Sequence, residues 1–313
     1  MKTAFVFPGQ GSQKVGMMQD LYNAYPIVKQ RFEEADEALG YSITKLCFEG
    51  PDTELVKTAN TQPAILTASV ACYEVLKEKG YTPDIVGGHS LGEYSALVAA
   101  GVLDFKDAVY LVHKRGQYMQ EAVPLGEGSM AAILALPREK VIAICAEVDA
   151  TVGSVQAVNF NCPGQIVIAG ATKAVEIAAE KMKAAGAKRA VILPVSAPFH
   201  SRLMEPAALR LEEELNTITI HDAQIPVVAN VTASILTKGA DIKKSLVVQA
   251  AHPVLWEDCV MQMVNYGVEV FVEVGPGKVL TGFTKKINKA MQLSNVEDIA
   301  SLDKTLEFLE GVR

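Results

Sequence analysis

Short apolar runs that break on glycine constrain this chain more than any other feature. Lys2–Phe7, Pro83–Gly88 and Val270–Val274 are mostly apolar, and each leads into a glycine-rich turn: Pro8-Gly-Gln-Gly-Ser-Gln13, Gly88-His-Ser-Leu-Gly92 and Gly275-Pro-Gly277. Helical spacing resumes after every turn. A strand that is apolar on both faces lies between two layers of helices, so this alternation specifies a parallel sheet covered on both sides. Ile225–Ala229 reads as a further strand of the same kind. Helices are expected from Pro26 to Leu39, stopped by Gly40, and from Pro63 to Lys79 with Asn60 or Thr61 as the cap. Others are expected over Leu91–Ala100, Phe105–Ala122, 241–251 and 256–266.

The rhythm changes at Ser129. Met130–Leu136 reads as a strand, Arg138–Glu147 as a helix, and Val155–Asn159 and Gln165–Ala169 as strands. Lys173–Ala185 then reads as a helix and Lys188–Leu193 as a strand. That order, β-α-β-β-α-β, is the ferredoxin-like split unit. The expected fold class is therefore α/β, with two parts. A large α/β-hydrolase-like domain with a central, mostly parallel sheet takes residues 1–126 and 195–313. A small ferredoxin-like domain, residues 127–194, is inserted into it through the exposed, glycine-containing stretch around Pro124-Leu-Gly-Glu-Gly128.

Composition excludes several function classes. A net charge of −7 argues against a general nucleic-acid binder. Five scattered cysteines, odd in number and without a Cys-x-x-Cys pair, fit neither a disulfide framework nor a zinc site. No apolar run is long enough to cross a membrane, and Lys2–Phe7 is too short for a signal peptide, so a cytoplasmic location is expected.

Gly88-His-Ser-Leu-Gly92 matches Gly-x-Ser-x-Gly. Alone the pattern is weak, arising by chance in about one chain in ten of this length. Between a strand and a helix, however, it is the setting of a nucleophile elbow, with Ser90 as the nucleophile and a helix N-cap serine as the bland reading. A serine hydroxyl needs a base, and histidine is the usual one near neutral pH. Five histidines are available. His89 adjoins the serine and should point away from its hydroxyl. His113 lies in a probable helix beside Lys114 and Arg115, and His221 lies in a polar turn. His252 precedes Pro253 at a helix end and remains conceivable. His200 follows a strand in Pro198-Phe-His-Ser201, at the edge where parallel-sheet active sites collect. On its own it is divided evenly between base and structural residue.

The Gly9-Gln10-Gly11 loop does not complete a dinucleotide fingerprint, because Lys14 stands at the last glycine position. Gly275-Pro-Gly-Lys278 lacks the upstream glycine and the hydroxyl residue of a P-loop. Arg115, next to Lys114 in a helix, is either part of a solvated face or a fork for a carboxylate.

Taken together these segments resemble the malonyl-CoA:acyl carrier protein transacylase family. The resemblance runs through Phe7-Pro-Gly-Gln-Gly-Ser-Gln13, Thr61-Gln-Pro-Ala64, Gly88-His-Ser-Leu-Gly-Glu-Tyr94 and Arg115-Gly116. It continues through Asn161-x-Pro-Gly-Gln165, Phe199-His200, Asn230-Val231, Gln249, Pro253-Val254-x-Trp256 and Glu273-Val-Gly-Pro-Gly277. It implies Ser90 as nucleophile and His200 as general base and acid, oriented by the backbone carbonyl of Gln249 instead of an acidic residue. It further implies an oxyanion hole from the backbone N–H groups of Gln10 and Leu91, and Arg115 as the ligand of a malonyl carboxylate. Phe199 before the histidine goes with malonyl rather than methylmalonyl selection in related polyketide acyltransferases. The implied substrates are malonyl-CoA and the phosphopantetheine thiol of acyl carrier protein, with no bound cofactor, metal, nucleic acid or membrane. An acidic carrier would dock on basic residues, for which Lys285, Lys286 and Lys289, or Lys188 and Arg189, are candidates. A free-standing acyltransferase serving a polyketide synthase, and a thioesterase, are the alternative functions.

Overall fold

The structure is a computed structural model and describes residues 1–195 and 197–312. Its strands, in chain order, are β1 (Lys2–Phe7), β2 (Ile85–Gly88), β3 (Gly128–Leu134), β4 (Val155–Cys162) and β5 (Gln165–Ala171). They continue with β6 (Arg189–Ile192), β7 (Val227–Val228), β8 (Ile235–Leu236), β9 (Val268–Val274) and β10 (Gln292–Val296). Six form one sheet in the order β10-β9-β1-β2-β7-β8. All its pairings are parallel except β7 with β8.

The side-chain period of two explains why β1 is apolar throughout. Phe5 and Phe7 face one helical layer, where Ile65, Leu66 and Tyr73 of the Thr58–Glu78 helix join their core. Ala4 and Val6 face the other layer, with Trp256, Val260 and Met263 of the Trp256–Asn265 helix. None of these four β1 side chains is more than 1% exposed. Each buried phenylalanine contributes about 2–3 kcal/mol of apolar burial.

The second sheet, β4-β5-β3-β6, is antiparallel throughout. The Arg138–Thr151 and Thr172–Ala184 helices complete the β-α-β-β-α-β order, and Ile133, Val141, Ile168, Val175 and Met182 form its own core. It is stitched to the rest of the chain along β4. The Phe160 amide donates to the Val254 carbonyl at 3.0 Å, and the Val254 amide donates to Val158 at 2.8 Å. Among the described residues no helix is long and apolar enough to cross a membrane.

Several expectations need correction. The helix expected to begin at Pro63 begins at Thr58, and neither Asn60 nor Thr61 is its cap. Proline is tolerated inside it because the carbonyl four residues back, on Ala59, has another donor: His113 Nδ1, at 2.8 Å. Two strands of the large sheet, β8 and β10, were not anticipated. Both are edge strands with partly exposed side chains, which carry a weak apolar signal.

The turn after β2 is made by close backbone packing. A Cβ on Gly92 would stand 2.0 Å from the Phe7 carbonyl oxygen at the end of β1, and one on Gly88 would stand 1.9 Å from the Gly92 oxygen. Only glycine lets the two turns approach. Gly92→Ala is expected to destabilise the protein by about 3 kcal/mol or more. Urea unfolding checks this; an unchanged midpoint would contradict the contact.

Candidate active site

Ser90 sits between β2 and the Leu91–Ala99 helix with φ 53° and ψ −108°. A non-glycine residue in this region is strained, and the surroundings must hold it there. Asn230, which follows β7, does so with both ends of its amide. Its Oδ1 accepts from the Ser90 amide at 2.8 Å, and its Nδ2 donates to the Gly88 carbonyl at 2.7 Å. Ser90 occupies the N-cap position of its helix, yet its hydroxyl makes no capping bond. The bland N-cap reading describes its position and not its hydroxyl.

The hydroxyl meets His200 instead, with Oγ 2.6 Å from Nε2. On the other side of the ring, Nδ1 lies 2.9 Å from the Gln249 carbonyl oxygen. A carbonyl only accepts, so Nδ1 carries the proton and Nε2 presents a lone pair to Ser90. The tautomer is therefore the one a base needs. His200 also has positive φ, 64°, and its amide donates to Ala250 at 3.1 Å. Burial, reinforced by the nearby Arg115 charge, lowers the His200 pKa to about 3. The imidazole is neutral across the physiological range.

Arg115 lies in the Phe105–Glu121 helix and is only 1% exposed, so the solvated-face reading does not hold. Its Nη1 donates to Gln62 Oε1 at 2.7 Å; its Nη2 donates to Gln249 Oε1 at 2.9 Å and to Ser90 Oγ at 3.1 Å. Two glutamine oxygens thus hold the guanidinium from both ends, with its charge beside the serine. Its centre lies 5.3 Å from the Tyr94 ring centroid.

Gln10, Gln62, Ser90, Leu91, Arg115, Phe199 and His200 line one small cavity of about 130 Å³. Leu91 is the first residue of its helix, so its amide has no intrahelical acceptor. Two larger cavities share lining residues with this one. The first, about 260 Å³, is bordered by the Pro8–Ser12 turn, Asn161, Gln165 and Phe283; the second, about 850 Å³, by Val56, Gln117, Leu125 and Val195.

Three other histidine side chains bond elsewhere than to the hydroxyl. His89 Nε2 pairs with Asn161 Oδ1 at 2.8 Å, as expected for a side chain turned away from the serine. His113 fills the gap left by Pro63, and His252 Nδ1 bonds the Val248 carbonyl at 2.9 Å.

Sequence reasoning gave no individual role to Gln62, Glu93, Asn230 or the side chain of Gln249. A signal existed: Gln62 and Glu93 are polar residues inside helices that are buried almost all round.

A family model described as acyl transferase domain matches residues 4–307. The chain is 51% identical over 309 residues to the malonyl CoA-acyl carrier protein transacylase of Bacillus subtilis, an alignment covering 99% of this chain and 98% of that one. The crystal structure of an acyl carrier protein S-malonyltransferase from Vibrio cholerae superposes with a TM-score of 0.95 at 51% identity, covering 97% of this chain and all of that one. A malonyl-transacylase in complex with a type II polyketide synthase acyl carrier protein superposes at 0.96 with 50% identity, covering 98% and 99%.

Because His200 is neutral well below its ordinary pKa of 6.5, modification of Ser90 by a fluorophosphonate should proceed at a nearly constant rate from about pH 8 to about pH 5 if His200 takes the hydroxyl proton. Intact-mass kinetics measure it. A rate falling through pH 6.5 would show that His200 is solvated and ordinary.

Proposed function

This chain belongs to the malonyl-CoA:acyl carrier protein transacylase family of acyl transferases, and on that basis we propose how its residues divide the work. The enzyme is an [acyl-carrier-protein] S-malonyltransferase. It moves the malonyl group from malonyl-CoA to the phosphopantetheine thiol of holo-acyl carrier protein, supplying the extender unit for fatty acid synthesis.

Ser90 is the nucleophile. His200 Nε2 takes the Oγ proton as Oγ attacks the thioester carbonyl, and the Gln10 and Leu91 amides receive the oxyanion. The tetrahedral intermediate collapses, the C–S bond breaks, and CoA leaves with the proton that His200 returns. The carrier thiol then gives its proton to His200 and attacks malonyl-Ser90. The Oγ–acyl bond breaks and the proton goes back to Oγ. Each half-reaction ends with His200 neutral, as a ping-pong cycle requires. Arg115 binds the malonyl carboxylate in the small cavity that Phe199 narrows. Named protein groups handle every proton and charge, so we assign no cofactor to the cycle.

The observation that carries this reading is the contact of one oxygen with two groups. Ser90 Oγ lies 2.6 Å from the base and 3.1 Å from the only guanidinium among the described residues that line the cavity. A nucleophile beside a carboxylate receptor suits a short acyl group that ends in a carboxylate.

The same proposal divides the chain into domains at residues 1–126 with 195–313 and 127–194, and places the reaction in the cytoplasm. It docks the acidic carrier near Lys285, Lys286 and Lys289. These three lysines are exposed, and the first two end the helix whose Phe283 borders the adjoining 260 Å³ cavity. The solved complex with a polyketide synthase carrier keeps a second carrier class in view.

Incubation with malonyl-CoA, with and without each holo-carrier, tests the function. Carrier loading is expected; CoA release with free malonate and no loading would make the protein a thioesterase. Ser90→Ala is expected to leave no acyl-enzyme by intact mass. Arg115→Ala should lower the malonyl-to-acetyl ratio of acyl-enzyme formation by about 100-fold, the scale of a lost buried ion pair. An unchanged ratio would refute the carboxylate receptor.

A further inference from the structure

Glu93 is the lone acid of the Leu91–Ala99 helix, 1% exposed, and among the described residues it forms no ion pair. A buried carboxyl outside an ion pair is costly, and here burial raises its pKa to about 7 although the Arg115 charge acts the other way. Its contacts indicate what it does. Its Oε2 accepts from the Gln249 side-chain Nε2 at 2.9 Å and from the Asn230 amide at 3.2 Å.

Gln249 acts through two separate groups. Its backbone carbonyl holds His200, and its side-chain oxygen holds Arg115 Nη2. The side chain therefore works in only one orientation. Nε2 faces three oxygens: Glu93 Oε2 and the Ser90 carbonyl at 2.9 Å each, and Asn230 Oδ1 at 3.4 Å. The Asn230 amide cannot turn to relieve this, because its oxygen holds the Ser90 amide and its nitrogen holds the Gly88 carbonyl. Rotating the Gln249 amide by half a turn would set its oxygen against those oxygens and its N–H groups against an arginine donor.

We propose that Glu93 is a positioning residue for acyl selection: by fixing the orientation of the Gln249 amide it aims the Arg115 fork at the substrate carboxylate without touching the substrate. This rests on the reading of Arg115 as the carboxylate receptor. Glu93 sets the amide, the amide oxygen sets Nη2, Gln62 sets Nη1, and the guanidinium plane follows.

The test compares acyl-Ser90 formation from malonyl-CoA and from acetyl-CoA in the intact enzyme and in four variants. Glu93→Met fills the space and removes the acceptor. It should lower the malonyl-to-acetyl ratio by about 10-fold, while acetyl transfer stays within about threefold, the scale of one misdirected hydrogen bond to a charged group. Gln249→Met keeps the backbone carbonyl and should lower the ratio similarly. Glu93→Gln retains an acceptor oxygen and should restore the ratio to within about threefold of the parent. A ratio at the parent value in Glu93→Met overturns the proposal, as does an equal fall of both substrates. If Glu93→Met does not fold by circular dichroism, Glu93→Ala takes its place in the comparison. Arg115→Ala separates the two failures. If it leaves the ratio unchanged, the receptor reading fails. If it lowers the ratio while Glu93→Met does not, only the role of Glu93 fails.

Discussion

The hydrogen bond from His200 Nδ1 to the Gln249 carbonyl fixes the chemistry of the whole site. At 2.9 Å it settles the tautomer, and the tautomer turns the Nε2 lone pair toward the Ser90 hydroxyl. A carbonyl orients the ring as a carboxylate would but contributes no full negative charge, so the imidazolium gains little from it. With burial and the Arg115 charge acting in the same direction, His200 stays neutral. That base suits thioester exchange. A thiol, with a pKa of about 8.5, leaves far more readily than an amine, and an imidazolium of lowered pKa gives up its proton to it readily.

A buried guanidinium beside the base is the compensating feature. Water has been removed from Arg115, and glutamine oxygens replace it at both ends. Both acceptors are neutral, and the carboxyl whose charge reaches Arg115, on Glu93, is bonded to Gln249 and Asn230. A carboxylate arriving with the substrate then meets an oriented fork in a low-dielectric cavity, where its attraction is strongest. A carboxylate in the place of Gln62 or Gln249 would occupy the receptor with the protein's own charge. The same glutamine ties this receptor to the nucleophile through the Ser90 carbonyl and to the base through its backbone.

The rigidity of this network comes from apolar packing around it. β1 and β2 run parallel with Phe7 opposite Gly88, so their two turns emerge side by side. Gly92 then brings the helix after Ser90 against the β1 carbonyl. Positive φ at Ser90 and at His200 is held by neighbours that these packed elements supply, Asn230 in one case and Ala250 in the other.

The sequence by itself determined the alternation of strands and helices, the mostly parallel sheet, the split β-α-β-β-α-β unit and the elbow at Ser90. All of these depend on local periodicity and on glycine at tight turns, which are written in neighbouring residues. Read residue by residue, without the family resemblance, it left Arg115 between a surface charge and a receptor, and His200 divided between two roles, because both answers depend on residues far away in the chain. Ser90 and His200 are 110 positions apart, and Arg115 reaches Gln249 across 134. Only tertiary structure decided that His113 repairs the gap at Pro63, that Arg115 is buried, and that Glu93 accepts from an amide on another element. Hydrogen bonds between elements carry these decisions, and they leave no periodic trace in a single sequence.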